Sequence, residues 1–159
     1  MRVALIVLAL ASCHVGGEYA TGGRDMSGVD KGETNGRMFD FVSNKPDGDD
    51  WQIRIRGSGM WVSYARDSST DALGSVNLSA KETRHLWKLV DELDMTAREQ
   101  GAKDEKKGYL MLQLREPGEE QHDIFKVFVS RKTKDDDILA LAEYLQDLVE
   151  KYKKERPNF

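Results

Sequence analysis

Residues 51–65 read Trp51-Gln52-Ile53-Arg54-Ile55-Arg56-Gly57-Ser58-Gly59-Met60-Trp61-Val62-Ser63-Tyr64-Ala65, and their spacing decides the fold. Trp51, Ile53 and Ile55 alternate with Gln52, Arg54 and Arg56, the period of two that sends successive side chains to opposite faces of a half-buried strand. Gly57-Ser58-Gly59 makes a tight connection and Met60 to Ala65 returns, so the stretch predicts a β-hairpin. With Trp51, Ile53 and Ile55 turned to a core, Arg54 and Arg56 point outward as a pair.

Toward the N-terminus, Met38-Phe39-Asp40-Phe41-Val42 predicts an edge strand, followed by a turn at Lys45-Pro46-Asp47-Gly48-Asp49-Asp50. Toward the C-terminus, Ser68-Ser69-Thr70-Asp71 reads as a loop leading through Val76 to Ser79. There Ser79-Ala80-Lys81-Glu82 matches a capping box. Leu86, Leu89, Val90 and Leu93 then recur at helical spacing, predicting a helix over residues 80–95. After a polar loop at residues 101–108 the order repeats. Leu110, Leu112 and Leu114 alternate with Met111, Gln113 and Arg115, the chain turns at Glu116-Pro117-Gly118-Glu119-Glu120, and His122 to Ser130 returns.

Asp135-Asp136-Asp137 suits the positive end of a helix dipole, with Lys151, Lys153 and Lys154 at the negative end. Between them Ile138, Leu141, Ala142, Leu145, Leu148, Val149 and Tyr152 supply an apolar stripe. The pattern is a repeated hairpin–helix unit. A hairpin alone is marginal, so the economical arrangement is α+β: two layers, an antiparallel sheet of four or five strands with two helices on one face. Gln52, Arg54, Arg56, Gln113 and Arg115 then lie on the other face. This domain is expected over residues 38–156.

The 159 residues suit about one domain. With 39% hydrophobic residues and 14 glycines the chain can build a core. Its 24 Lys and Arg against 28 Asp and Glu give a net charge of −4, which argues against nucleic acid as a partner. A lone cysteine excludes an internal disulfide framework and any multi-cysteine metal centre.

That cysteine ends an export signal. Arg2 provides the positive start, Val3 to Ala11 is unbroken apolar sequence, and the stretch is far shorter than the roughly 20 residues of a membrane span. Leu10-Ala11-Ser12-Cys13 resembles the lipobox of bacterial lipoproteins. The resemblance implies a signal peptide over residues 1–12, cleavage between Ser12 and Cys13, and a Cys13 carrying three acyl chains, palmitate among them. His14 stands where an inner-membrane lipoprotein carries aspartate, so the expected address is the outer membrane, facing the periplasm. The competing reading is a secretory peptide with an incidental Cys13, or a buried N-terminal strand. Between the cysteine and the domain, Gly16, Gly17, Gly22, Gly23, Gly28, Gly32 and Gly36 leave no helical or strand period. Residues 13–37 are therefore expected to act as a lipid-anchored tether, spanning roughly 27 Å as a coil.

The order of hairpin, helix opened by Leu78-Ser79-Ala80-Lys81-Glu82, second hairpin and final helix is similar to that of emfourin-type inhibitors of thermolysin-like proteases. It is similar as well to uncharacterised lipoprotein domains of the same layout. The resemblance covers Trp51 to Leu148 and implies a protein-binding role. No inhibitory residue carries over, because Gly59-Met60-Trp61 and Asp135-Asp136-Asp137 stand where that family has other signatures.

Signals of catalysis are missing from the sequence. His14, His85 and His122 share no metal-ligand spacing, Asp47, Asp49 and Asp50 lack the remainder of a calcium loop, and Gly57-Ser58-Gly59 lacks nucleophile-elbow spacing. The expectation is a non-enzyme without metal or cofactor, monomeric, joined to the membrane by lipid and to an unidentified envelope protein. Arg54, Arg56, Trp61 and Arg66 are the candidate partner-binding residues, since Trp and Arg dominate protein interfaces. The competing account makes them a solvated strand face with Trp61 covering the sheet edge. Two functions stand: a protein-binding module, protease inhibition being one form of it, or an accessory, pilotin-like assembly lipoprotein without inhibitory activity.

Overall fold

A computed structural model describes residues 36–66, 69–118 and 121–159. The signal peptide, Cys13 and most of the expected tether lie outside the described residues. Among the described residues there are six strands: β1 (Met38–Asn44), β2 (Asp50–Arg56), β3 (Gly59–Arg66), β4 (Ser69–Asn77), β5 (Tyr109–Pro117) and β6 (His122–Ser130). Helix α1 (Ala80–Glu92) follows β4 and helix α2 (Asp136–Lys153) follows β6. All neighbouring strands are antiparallel, in the spatial order β4-β3-β2-β1-β5-β6.

The α+β class and the open antiparallel sheet stand, but the sheet has six strands rather than four or five. The difference is β4, which the sequence reads as a loop. STDALGSVN offers no apolar alternation because β4 is an edge strand whose side chains are largely exposed. Among the described residues it pairs only with β3, through a register shift between Val62 and Ser63, the kind of bulge that blunts a sheet edge. The repeated unit is correspondingly uneven: a four-stranded meander precedes α1 and a hairpin precedes α2.

β1 is likewise corrected, from edge to interior. It lies between β2 and β5, joining the two halves of the chain, and Phe39 and Phe41 are fully buried there. The β2–β3 turn is two residues long, since Arg56 pairs with Gly59. Gly57 at φ +55° takes the turn position that residues with a Cβ rarely adopt.

The buried strand side chains share one face. Phe39 and Phe41 on β1 register with Ile55 and Ile53 on β2 and with Leu114 and Leu112 on β5. Ile53 and Ile55 continue to Val62 and Met60 on β3. The same buried cluster takes Leu86, Trp87 and Val90 from α1 and Ile138, Leu141 and Leu145 from α2, so both helices cover that face. Each such large apolar side chain contributes about 1.5–3 kcal/mol when removed from water. No described helix is long and apolar enough to cross a membrane.

Helix ends follow the sequence signals. Ser79 caps α1 in a reciprocal box: its hydroxyl accepts from the Glu82 N–H at 3.3 Å and its own N–H donates to the Glu82 carboxylate at 2.8 Å. α1 ends at Glu92 with Leu93 as its cap, short of Met95. Asp135 caps α2, accepting from the Ile138 N–H at 3.1 Å. Beyond α2 the chain packs back. Pro157 is buried, its carbonyl accepts from Gln146 at 3.0 Å, and the Phe159 ring lies 4.7 Å from that of Phe41.

Glu82 joins the two helices. Burial pushes its carboxyl up, but hydrogen bonds from Lys151, from the hydroxyl and N–H of Ser79, and from Tyr152 outweigh that and hold it at about 2. Lys151 donates at 2.7 Å and Tyr152 at 2.8 Å, so the first turn of α1 is tied to the last turn of α2.

Candidate functional site

Alternation fixes what the uncovered face carries. On β2 it is Asp50, Gln52, Arg54 and Arg56; on β1, Met38, Asp40 and Val42; on β3, Trp61 and Ser63; on β5, Met111, Gln113 and Arg115. β6 adds Ile124, Lys126 and Phe128, which register with Arg115, Gln113 and Met111. Arg54 stands directly across from both Asp40 on β1 and Trp61 on β3.

At the middle of this face is a buried carboxylate. Asp40 is 2% exposed, and its two oxygens face different strands. Oδ1 accepts from Arg54 Nε at 2.6 Å; Oδ2 accepts from Gln113 Nε2 at 3.3 Å and lies 3.4 Å from an Nη nitrogen of Arg115. Asp40 therefore sets the aim of two guanidinium groups across three strands. An ionised side chain is costly to bury unless it is paired and hydrogen-bonded, and here it is both.

Beside Arg54 lies a depression of about 290 Å3, walled by Met38, Gln52, Arg54, Arg56 and Trp61. The small residues Ser63, Ala72 and Gly74 leave it room on the β4 side. Gly59 sets the position of Trp61: a Cβ there would stand 2.7 Å from the indole, with the carbonyl of Arg56 at 3.3 Å behind it. Only glycine lets this ring lie down on the strand. Trp51 and Trp87 are buried in the core, so Trp61 is the tryptophan that reaches the surface.

Of the four residues singled out in the sequence, the structure brings Arg54, Arg56 and Trp61 together and separates Arg66. Arg66 has the phase of Tyr64 and Val62 and turns to the opposite side of β3. There its guanidinium sits 5.1 Å from the centre of the Tyr64 ring and 3.4 Å from Asp49. The Tyr64 hydroxyl donates to Asp49 and is the chief reason that carboxyl lies below its ordinary range; burial opposes this, while Lys45 and Arg66 reinforce it. Arg66 belongs to the closure of the β1–β2 turn.

Asp40, Lys126 and the β4 contribution were not singled out. Asp40 was legible in part: between Phe39 and Phe41 it must take the opposite phase, hence the face of Arg54. The neighbour on its other side, β5, could not be read, because that pairing joins residues 73 positions apart.

Among the described residues no group of three or more His, Cys, Asp or Glu is placed to hold a metal ion. His85 packs edge-on against Tyr144 at 4.5 Å, and His122 is exposed where β6 begins. The arrangement offers guanidinium groups, an amide and an indole on a shallow surface, a set suited to holding another molecule. Compared with known proteins, the chain matches no family model and no curated protein.

Proposed function

We propose that this chain is a lipid-anchored lipoprotein of the bacterial envelope, held at the outer membrane and facing the periplasm, whose domain binds another envelope protein. Blocking a protease is one form such binding takes. One observation carries the reading: both helices lie on one face of the sheet, and the other presents Arg54, Arg56 and Trp61 around a depression. Arg and Trp anchor interfaces because a planar cation or an indole contributes a large contact at small conformational cost. The anchor rests on Leu10-Ala11-Ser12-Cys13.

The second reading, a pilotin-like assembly factor without inhibitory activity, calls for a contiguous apolar groove. Among the described residues the exposed large apolar side chains are Ile124 and Leu139. One is on β6 and the other on the helix layer, while Met38, Val42, Met111 and Phe128 are half-buried on the open face; an adduct of the partner formed along Val42, Met111 and Phe128 rather than at Arg56 would favour that second reading.

Two experiments test the proposal. Cys13→Ala should move the protein from the membrane fraction to the soluble one with its fold intact; retention in the membrane would end the anchor. Arg56→Glu, which leaves the pair between Arg54 and the buried Asp40 in place, should abolish recovery of the partner from solubilised envelopes while leaving the thermal melt nearly unchanged. Undiminished recovery would remove the open face from the account. Arg54 is kept because replacing it would leave the buried Asp40 without its 2.6 Å donor and lower the melt itself.

A further inference from the structure

We infer that the segment of the partner seated on the open face is acidic, a run carrying Asp or Glu side chains laid over Arg54 and Arg56; this rests on the protein-binding reading above. The chain as a whole is acidic, at −4, yet this face reverses the sign. Register places Arg54, Arg56, Arg115 and Lys126 on it, and its carboxylates among the described residues are Asp40 and Asp50. Both are taken up within the fold. Asp40 is buried between strands, and Asp50 accepts from the Lys45 N–H at 2.7 Å and the Asn44 amide at 3.0 Å in the β1–β2 turn.

Arg54 meets Asp40 through Nε, and its side chain is still 49% exposed. With Nε fixed by Asp40 and half of the side chain open to solvent, the guanidinium keeps donors for a second carboxylate. The indole of Trp61 and the thioether of Met38 border the same depression, which suits the methylene stem of an acidic side chain. Because the surface is concave beside Arg54, it favours a protruding side chain over a flat array of lipid headgroups. Opposite charge across such a contact speeds encounter and sets register.

The test uses the full chain in detergent and a fluorescein-labelled oligoglutamate peptide, read by anisotropy, with oligolysine as control. Oligoglutamate should bind saturably and oligolysine should not. Binding should weaken at least about 10-fold in Arg54→Gln/Arg56→Gln, and again at an ionic strength of about 1 M, where the screening length falls to about 3 Å. Near-UV circular dichroism verifies that the variant is folded, and the salt series on the unaltered chain keeps the test decisive if it is not. No saturable binding of oligoglutamate, equal binding of both peptides, or insensitivity to salt overturns the inference. So does preferential sedimentation with phosphatidylglycerol over phosphatidylcholine vesicles that the peptide does not compete. If the envelope partner is recovered through this face while oligoglutamate fails, the acidic segment is wrong and the protein-binding reading survives; if nothing is recovered, that reading falls as well.

Discussion

The two faces of the sheet are made from the same strands, and alternate residues of each divide between them. On the covered face Phe39, Phe41, Ile53, Ile55 and Met60 are fully buried against the helices. On the open face Arg54 and Arg56, one residue out of phase with Ile53 and Ile55, stand exposed beside Trp61. The covered face needs only apolar volume, and volume-conserving exchanges there are tolerated. The open face holds something the fold does not require. A buried carboxylate such as Asp40 is weak evidence for stability, because well-packed apolar groups often serve as well in its place. Its observed effect is to aim Arg54 and Arg115 across three strands of the open face.

The contrast can be broken by substitution, and the effects should scale with the face. Leu141→Ala, on the covered side and fully buried, should cost about 2–5 kcal/mol in urea denaturation. A loss under about 1 kcal/mol would mean that α2 is not seated on the sheet as described. Next comes acid. Glu82 titrates at about 2 in the fold against an ordinary 4.5, so its contribution is fully present above 4.5 and drains away as pH falls toward 2. Glu82→Gln should remove about 2 kcal/mol of stability at neutral pH and flatten that acid limb of the curve. An unchanged acid limb would show that the tie between the helices is not formed.

On the open face the effects are smaller and of another kind. Asp40→Ala should cost about 1–3 kcal/mol, since Arg54 and Gln113 each lose an acceptor. It should weaken partner binding too, by releasing Arg54 and Arg115. Stability lost with binding intact would make Asp40 a purely structural residue. Arg56→Glu should move stability by only about 0–1 kcal/mol while reducing partner recovery. A large stability loss with intact recovery would reverse the roles assigned to the two faces.

What the sequence made legible follows from the same division. Trp51 to Ala65 alternates strictly because one face is buried, and the structure places its hairpin where that alternation predicts. The cap of α1 was legible for a local reason, since Ser79 bonds to an N–H three residues on; at α2 the three aspartates marked the positive end of the helix without setting Asp135 apart as its cap. β4 was not, because an edge strand is held by backbone pairing to β3 and leaves little trace in its side chains. The interior place of β1 depends on its pairing with β5, far along the chain, which no local pattern records. The candidate site was legible where it lies on one hairpin, in Arg54, Arg56 and Trp61. Arg66 stands apart from these three, and counting the phase from Trp61 through Ser63 to Ala65 puts it on the other side of β3.

The central claim is that the uncovered face of the sheet is where this protein meets its partner. Photo-crosslinking in native envelopes tests it most directly, with the crosslinker placed at Ser63 on the open face or at Ala140, exposed on α2. The account predicts a protein adduct from Ser63 that disappears in Arg56→Glu, and none from Ala140. An adduct from Ala140 with none from Ser63 would contradict it.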